Sequence, residues 1–236
     1  MVWVALIGLL IGVAIYYFFL RRPGQTQRDL RVVEWIDHPS AHPDWVIQAR
    51  QRCDAAPFLF PTTGYIGYLW GDTFQAGHPH QGIDIFGGTQ PNVTPVYSVY
   101  DGYLTRLAGW KSSIIIRIPS DPLQPGRQIW TYYTHMANKE GNSYISSQFS
   151  PGTTDLFVPA GTLLGYEGNY SGIPENPVGV HLHFSIVKDD GKGGFTNELE
   201  IGNTLDPSPY FGLPLNVAQN TDEIPVCPPD QLTPAP

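Results

Sequence analysis

Beyond residue 22 no stretch of this chain longer than 14 residues is free of glycine or proline, and that punctuation limits what it can fold into. Its 236 residues include 25 Gly and 23 Pro, about a fifth of the total. Glycine weakens helix interiors through backbone entropy, and proline through its missing N–H and its ring. A helical bundle or coiled coil is therefore excluded. Wholesale disorder is excluded too, because aromatic residues reach 13% and disordered chains are poor in them. A turn-rich, mostly β domain remains.

The runs between the breaks agree with this. Residues 96–100, 102–107, 113–118, 128–134 and 180–187 are rich in β-branched and aromatic side chains and read as strands. Asp101-Gly102, Pro125-Gly126 and Pro151-Gly152 mark turns between them. The spacing predicts a compact antiparallel β-sandwich or barrel-like domain over residues 61–212. Ahead of it, residues 23–60 are harder to assign and read as a juxtamembrane stalk or an N-terminal extension packed on the domain. Within them, residues 31–36 read as a short strand, and Pro43 followed by Asp44 reads as the start of a helix reaching Arg50. Residues 213–236 are proline-rich and read as an extended tail.

Residues 2–20 carry no charge and end at Arg21-Arg22. About 20 apolar residues cross a bilayer as a helix, and Tyr16 with Tyr17 suits an interfacial aromatic belt. A cleaved signal peptide would show a basic start, a shorter apolar core and small residues at a cleavage site. None is visible, so residues 1–22 are expected to form a single-pass transmembrane anchor. The positive-inside rule would put Arg21-Arg22, and the domain after them, in the cytoplasm. The chemistry below fits the extracytoplasmic side, and the two expectations conflict.

Charge excludes one large class of partner. The net charge is −8 and no basic cluster exceeds Arg21-Arg22, so nucleic acid is not expected. Cys53 and Cys227 lie far apart. They are either two separate thiols or one disulfide closing the domain in an oxidising compartment.

The chemistry lies in the histidines. His80-Gln-Gly-Ile-Asp84 combines an imidazole and a carboxylate, and Gly82 with the following Ile85-Phe86-Gly87-Gly88 argues against a helix there. The motif is expected to run from a loop into a strand, with His80 and Asp84 pointing inward. His181-Leu182-His183 lies in a β-rich octet. Residues i and i+2 of a strand share a face, so both imidazoles point one way while Leu182 and Phe184 face a core. Two imidazoles and a carboxylate with one open position match catalytic zinc, and at least one histidine is left over for proton transfer. His135, in Tyr132-Tyr-Thr-His135-Met136, is a third buried-looking candidate. His38 and His42 read as ordinary structural residues, and His78 is expected to have no metal role.

In these segments the chain resembles the M23 peptidase family, the LytM or lysostaphin-type zinc metalloendopeptidases. The likeness covers residues 63–210 and includes His80-x-x-x-Asp84, Pro95-Val-Tyr-Ser-Val-Tyr-Asp-Gly, Trp130-Thr-Tyr-Tyr-Thr-His-Met, Val158-Pro-Ala-Gly-Thr-Leu-Leu-Gly and Gly179-Val-His-Leu-His-Phe-Ser. The resemblance implies a compact antiparallel β fold with a groove above the sheet, and Zn2+ held by His80, Asp84 and His183. It implies that His135 and His181 are catalytic and that the substrate is a peptide bridge or stem of peptidoglycan. Residues 89–95, 120–127 and 137–151 are longer than the family pattern. Such loops wall the groove, so no bond preference carries over. Two other functions fit the same residues: a wall-binding or hydrolase-activating module that keeps a structural zinc, and a peptidase acting on a secreted protein.

Overall fold

The computed structural model describes residues 26–73, 77–220 and 222–234. The expected membrane anchor, residues 1–22, lies outside them. Among the described residues no helix is long and apolar enough to cross a membrane.

The fold is mostly β and antiparallel. In chain order the strands are β1 (Val46–Ile47), β2 (Gln51–Cys53), β3 (Gly64–Tyr68), β4 (Ile83–Phe86), β5 (Pro95–Tyr97), β6 (Gly102–Thr105), β7 (Ile114–Ile118), β8 (Ile129–Thr134), β9 (Leu156–Val158), β10 (Leu163–Tyr166), β11 (Leu182–Lys188), β12 (Thr204–Leu205) and β13 (Leu232–Pro234). Nine of them form one sheet in the order β1-β3-β4-β11-β8-β7-β6-β9, with β12 also on β11. β5 pairs with β10 and β2 with β13 in two small ribbons. The architecture is thus one broad sheet with ribbons laid against it, rather than two matched sheets.

Alternation along the strands divides the sheet into two faces. On the inner face Ile83, Ile85, Ile114, Ile116, Tyr133, Leu182, Phe184 and Ile186 are buried against Phe58, Phe60, Val96, Leu164 and Phe211. Burying each such side chain contributes roughly 1.5–3 kcal/mol. The outer face carries two smaller apolar clusters. One joins Val32, Trp35, Tyr65 and Phe86, and the other joins Ile115, Trp130, Tyr132 and Val187. Polar side chains occupy the sheet between them.

Two local expectations are corrected. Residues 31–36 belong to a helix, α1 (Gln27–Asp37), not a strand. Thr26 and Asp29 form a reciprocal capping box at its start. Arg28, Val32 and Trp35 then face inward at helical spacing, and Trp35 Nε1 donates to Phe86 O at 2.8 Å. Pro43 opens only a single 3₁₀ turn, Pro43–Trp45, because Val46 and Ile47 pair with Tyr65 and Gly64 as β1.

The proline-rich C-terminal segment is extended but not loose. Leu215 is fully buried, β13 pairs with β2, and Cys227 is disulfide-bonded to Cys53 across 174 residues of sequence. Closing so long a loop restricts the unfolded chain. Cys53→Ser is expected to lower the free energy of unfolding by about 2–5 kcal/mol, measured by urea denaturation without reductant. Equal midpoints for the variant and the native protein would show that the cross-link contributes nothing.

Candidate metal centre and active site

The site grows out of strand pairing. β11 lies between β4 and β8, and His183 stands directly opposite Asp84 on one side and Thr134 on the other. Cross-strand neighbours of this kind hold their Cβ atoms about 4.5–5.5 Å apart. Leu182 and Phe184, on either side of His183, are fully buried in the inner core, which turns the imidazole to the outer face. His80 arrives from the loop before β4. Gly82 makes that approach possible, since a Cβ there would stand 2.1 Å from Phe184 O.

These residues converge on one point. Asp84 Oδ1 lies 2.9 Å from His183 Nδ1 and 3.1 Å from His80 Nε2, and the two ring nitrogens are 3.0 Å apart. All three side chains are buried. His80 Nδ1 donates to Leu69 O at 3.0 Å, and in the neutral ring Nε2 then presents a lone pair. Lone pairs of Nε2 and a carboxylate this close repel unless a cation lies between them. Ligand atoms about 2.0–2.1 Å from a tetrahedral zinc stand roughly 3.3 Å from one another, close to the spacings found here. The His-Asp-His set therefore fits Zn2+.

The electrostatics agree. Burial alone would lower the His80 pKa, but the Asp84 charge and hydrogen bond outweigh it and leave it raised. Burial opposes ionisation of Asp84, yet the surrounding His80, His181 and His183 hold its carboxyl well below the ordinary value. A buried carboxylate ringed by imidazoles attracts a cation, whether a proton or a metal ion.

Two more histidines border this cluster. His181 Nδ1 donates to Gly179 O at 2.7 Å, and His135 Nδ1 donates to Tyr170 O at 2.7 Å. Each ring therefore carries its proton on Nδ1 and keeps Nε2 bare. His181 Nε2 is 3.6 Å from Asp84 Oδ1, and the His135 and His181 ring centroids are 4.5 Å apart. Burial, with the neighbouring His181 and His183, brings the His135 pKa down to about 3. Burial lowers that of His181 also, against the pull of Asp84.

His135 follows Thr134, and regular alternation would send it to the opposite face. Instead it has φ +72, a left-handed conformation that costs a non-glycine residue about 1–2 kcal/mol. The turn brings Thr134 and His135 to the same cavity. Gly168 permits the close packing beneath, because a Cβ there would lie 2.5 Å from His135 O.

The cavity measures about 410 Å³ and is lined by all five of these residues, within the usual range for ligand clefts. None of its lining comes from residues 26–60. Tyr170 and Glu198 also line it, and sequence reading missed both. Each stands in a loop without a motif, and only the folding of those loops over the sheet brings them in. His38, His42 and His78 do not line it; His42 instead meets Glu34 at 3.1 Å and stacks on Trp45.

No protein-family profile matches the chain, and no curated protein does. Solved structures do. One is the antimicrobial peptidase lysostaphin from Staphylococcus simulans, 17% identical with a TM-score of 0.39, covering 70% of this chain and 55% of that one. Another is the catalytic domain of the prophage-encoded M23 protein EnpA from Enterococcus faecalis, 21% identical with a TM-score of 0.35, covering 64% of this chain and 96% of that one. A third is a zinc-containing peptidase from Vibrio cholerae, 18% identical with a TM-score of 0.33, covering 66% and 38%. Its structural neighbours are M23 peptidases. The chain spans about half the length of lysostaphin, and the functional reading below rests on its own side chains.

A buried carboxyl steadies the strand that carries Asp84. Glu167 is fully buried and meets Gly87 N and Thr62 Oγ1, both at 3.0 Å. Burial pushes its pKa up to about 8 against those two hydrogen bonds, so the folded protein prefers it protonated at pH 7. An acid with a raised folded-state pKa loses stability as pH climbs from its unfolded value, near 4.5, through 8. The slope is roughly 1.4 kcal/mol per pH unit within that window. Glu167→Gln presents an amide N–H where the protonated acid has its O–H. Its stability relative to the native protein is expected to rise between pH 5 and pH 8 and then level off, measured by urea denaturation at each pH. A difference independent of pH would show Glu167 ionised in the fold.

Proposed function

We propose that the chain is a membrane-anchored zinc endopeptidase that hydrolyses peptide bonds in the cross-bridges or stems of peptidoglycan, with its domain on the extracytoplasmic side. One observation carries the reading: two histidines with bare Nε2 atoms border a His-Asp-His donor set in an open cavity. In it His80, Asp84 and His183 hold the metal, and His135 and His181 move protons.

Zinc, when bound, acts as a Lewis acid that lowers the pKa of its water and polarises a carbonyl. The remaining work belongs to the chain. Cleavage of an amide by water transfers one proton from the attacking oxygen to the leaving nitrogen, as the C–O bond forms and the C–N bond breaks. His135 and His181 each present an unprotonated Nε2 able to take that proton and return it to the amine. The Tyr170 and Gly179 carbonyls hold both rings in the tautomer this requires. Once protonated, either ring donates to the developing oxyanion.

Two features support the location. Residues 2–20 are long and apolar enough to span a bilayer. The Cys53–Cys227 disulfide suits an oxidising compartment, which weighs against the cytoplasmic placement favoured by Arg21-Arg22.

Purified peptidoglycan tests the reading, with new amino groups and bound zinc measured together. His183→Ala is expected to lose both zinc and cleavage. His135→Ala is expected to keep zinc and lose at least about a hundredfold in rate. A native protein that binds zinc and wall yet releases no amino groups would establish the non-enzymatic module instead. Cleavage of Gly-rich protein but not of wall would redirect the substrate.

A further inference from the structure

We infer that the first turn of α1 is a positioning device for His80, acting through an ion pair between buried Arg28 and half-buried Asp72. The inference rests on reading His80 as a zinc ligand. His80 is held by a turn at residues 69–72. Its main-chain N–H donates to Asp72 O at 2.7 Å, its carbonyl accepts from Gly71 N at 2.8 Å, and its Nδ1 donates to Leu69 O at 3.0 Å. The orientation of the ring, and so the direction of Nε2, follows the placement of this turn.

The Asp72 carboxylate closes the turn. Its Oδ2 accepts from Leu69 N at 2.6 Å, while Asp72 N donates to Leu69 O at 3.1 Å. The same Oδ2 lies 3.1 Å from Arg28 Nε, on the first turn of α1. Arg28 is only 7% exposed, and its other arm reaches Asn220 O at 3.3 Å. A second contact ties α1 to the residue just before the turn, where Tyr68 O–H donates to Asp29 Oδ1 at 2.8 Å. The C-terminal segment completes the clamp, since Trp70 N donates to Leu215 O at 2.9 Å and Val217 N to Trp70 O at 3.1 Å.

Removing Arg28 leaves a largely buried carboxylate without its counter-charge, which is costly. Asp72 then turns toward water and releases Leu69 N, and the Leu69 carbonyl no longer fixes the His80 ring. Groups that orient a metal ligand typically account for 10–100-fold in metal affinity. The helix that follows the proposed membrane segment is thereby linked mechanically to the metal centre.

Zinc affinity, measured by competition with a chromogenic chelator on protein shown by circular dichroism to be folded, tests this. Arg28→Ala and Asp72→Ala are each expected to bind zinc about tenfold or more weakly, and the double variant no more weakly than Asp72→Ala alone. Arg117→Ala breaks the Arg117–Asp155 pair between β7 and the residue just before β9 and is expected to bind as the native protein does. Arg28→Lys, which cannot serve Asp72 and the Asn220 carbonyl together, takes the place of an alanine variant that fails to fold, with the same expected direction. A native protein that binds no zinc removes both the zinc reading and this inference. A native protein that binds zinc, with folded Arg28 variants binding equally well or with losses that simply add, overturns this inference alone.

Discussion

The antiparallel pairing of β11 with β4 and β8 is the constraint on which the site depends. It sets His183 opposite Asp84 and Thr134, and the fully buried Leu182 and Phe184 hold the register. A slip of one residue would drive both imidazoles of His181-Leu182-His183 into the apolar core and expose the two hydrophobes. Asp84 and His183 are therefore placed by hydrophobic burial on the opposite face, whereas His80 is held by the turn at residues 69–72.

The main chain then settles the chemistry of the rings. Leu69, Tyr170 and Gly179 each offer a carbonyl to the Nδ1 of His80, His135 and His181. A carbonyl cannot donate, so in each neutral ring the lone pair is on Nε2. One of these Nε2 atoms joins Asp84 and His183 Nδ1 in the donor set, and two border it.

Parts of this were readable without coordinates. The strand alternation of His181 and His183 is a local property, as is the loop-to-strand passage from His80 through Gly82 to Asp84. The resemblance to M23 peptidases added the division of roles. Other parts were misread for identifiable reasons. Arg31-Val-Val-Glu-Trp-Ile has the β-branched and aromatic content of a strand, yet the capping box of Thr26 and Asp29 starts a helix there. Tertiary packing of Val32 and Trp35 against Tyr65 and Phe86 then outweighs intrinsic propensity. Pro43 and Asp44 make a sound helix start, but Val46 and Ile47 gain more by pairing with β3. The left-handed backbone of His135 had no signal in its residue type.

The sequence by itself determined a turn-rich β domain, the shared face of His181 and His183, and a histidine–aspartate set suited to zinc. Those properties follow from residue type and from spacings of a few positions, which backbone geometry converts directly into direction. Only the tertiary structure decided that His135 turns into the cleft, that Cys53 meets Cys227, and that Arg28 reaches the turn behind His80. Each joins groups far apart in sequence or requires a conformation disfavoured by the residue alone. Their free energy comes from the packing of the whole sheet, which no short stretch of chain contains.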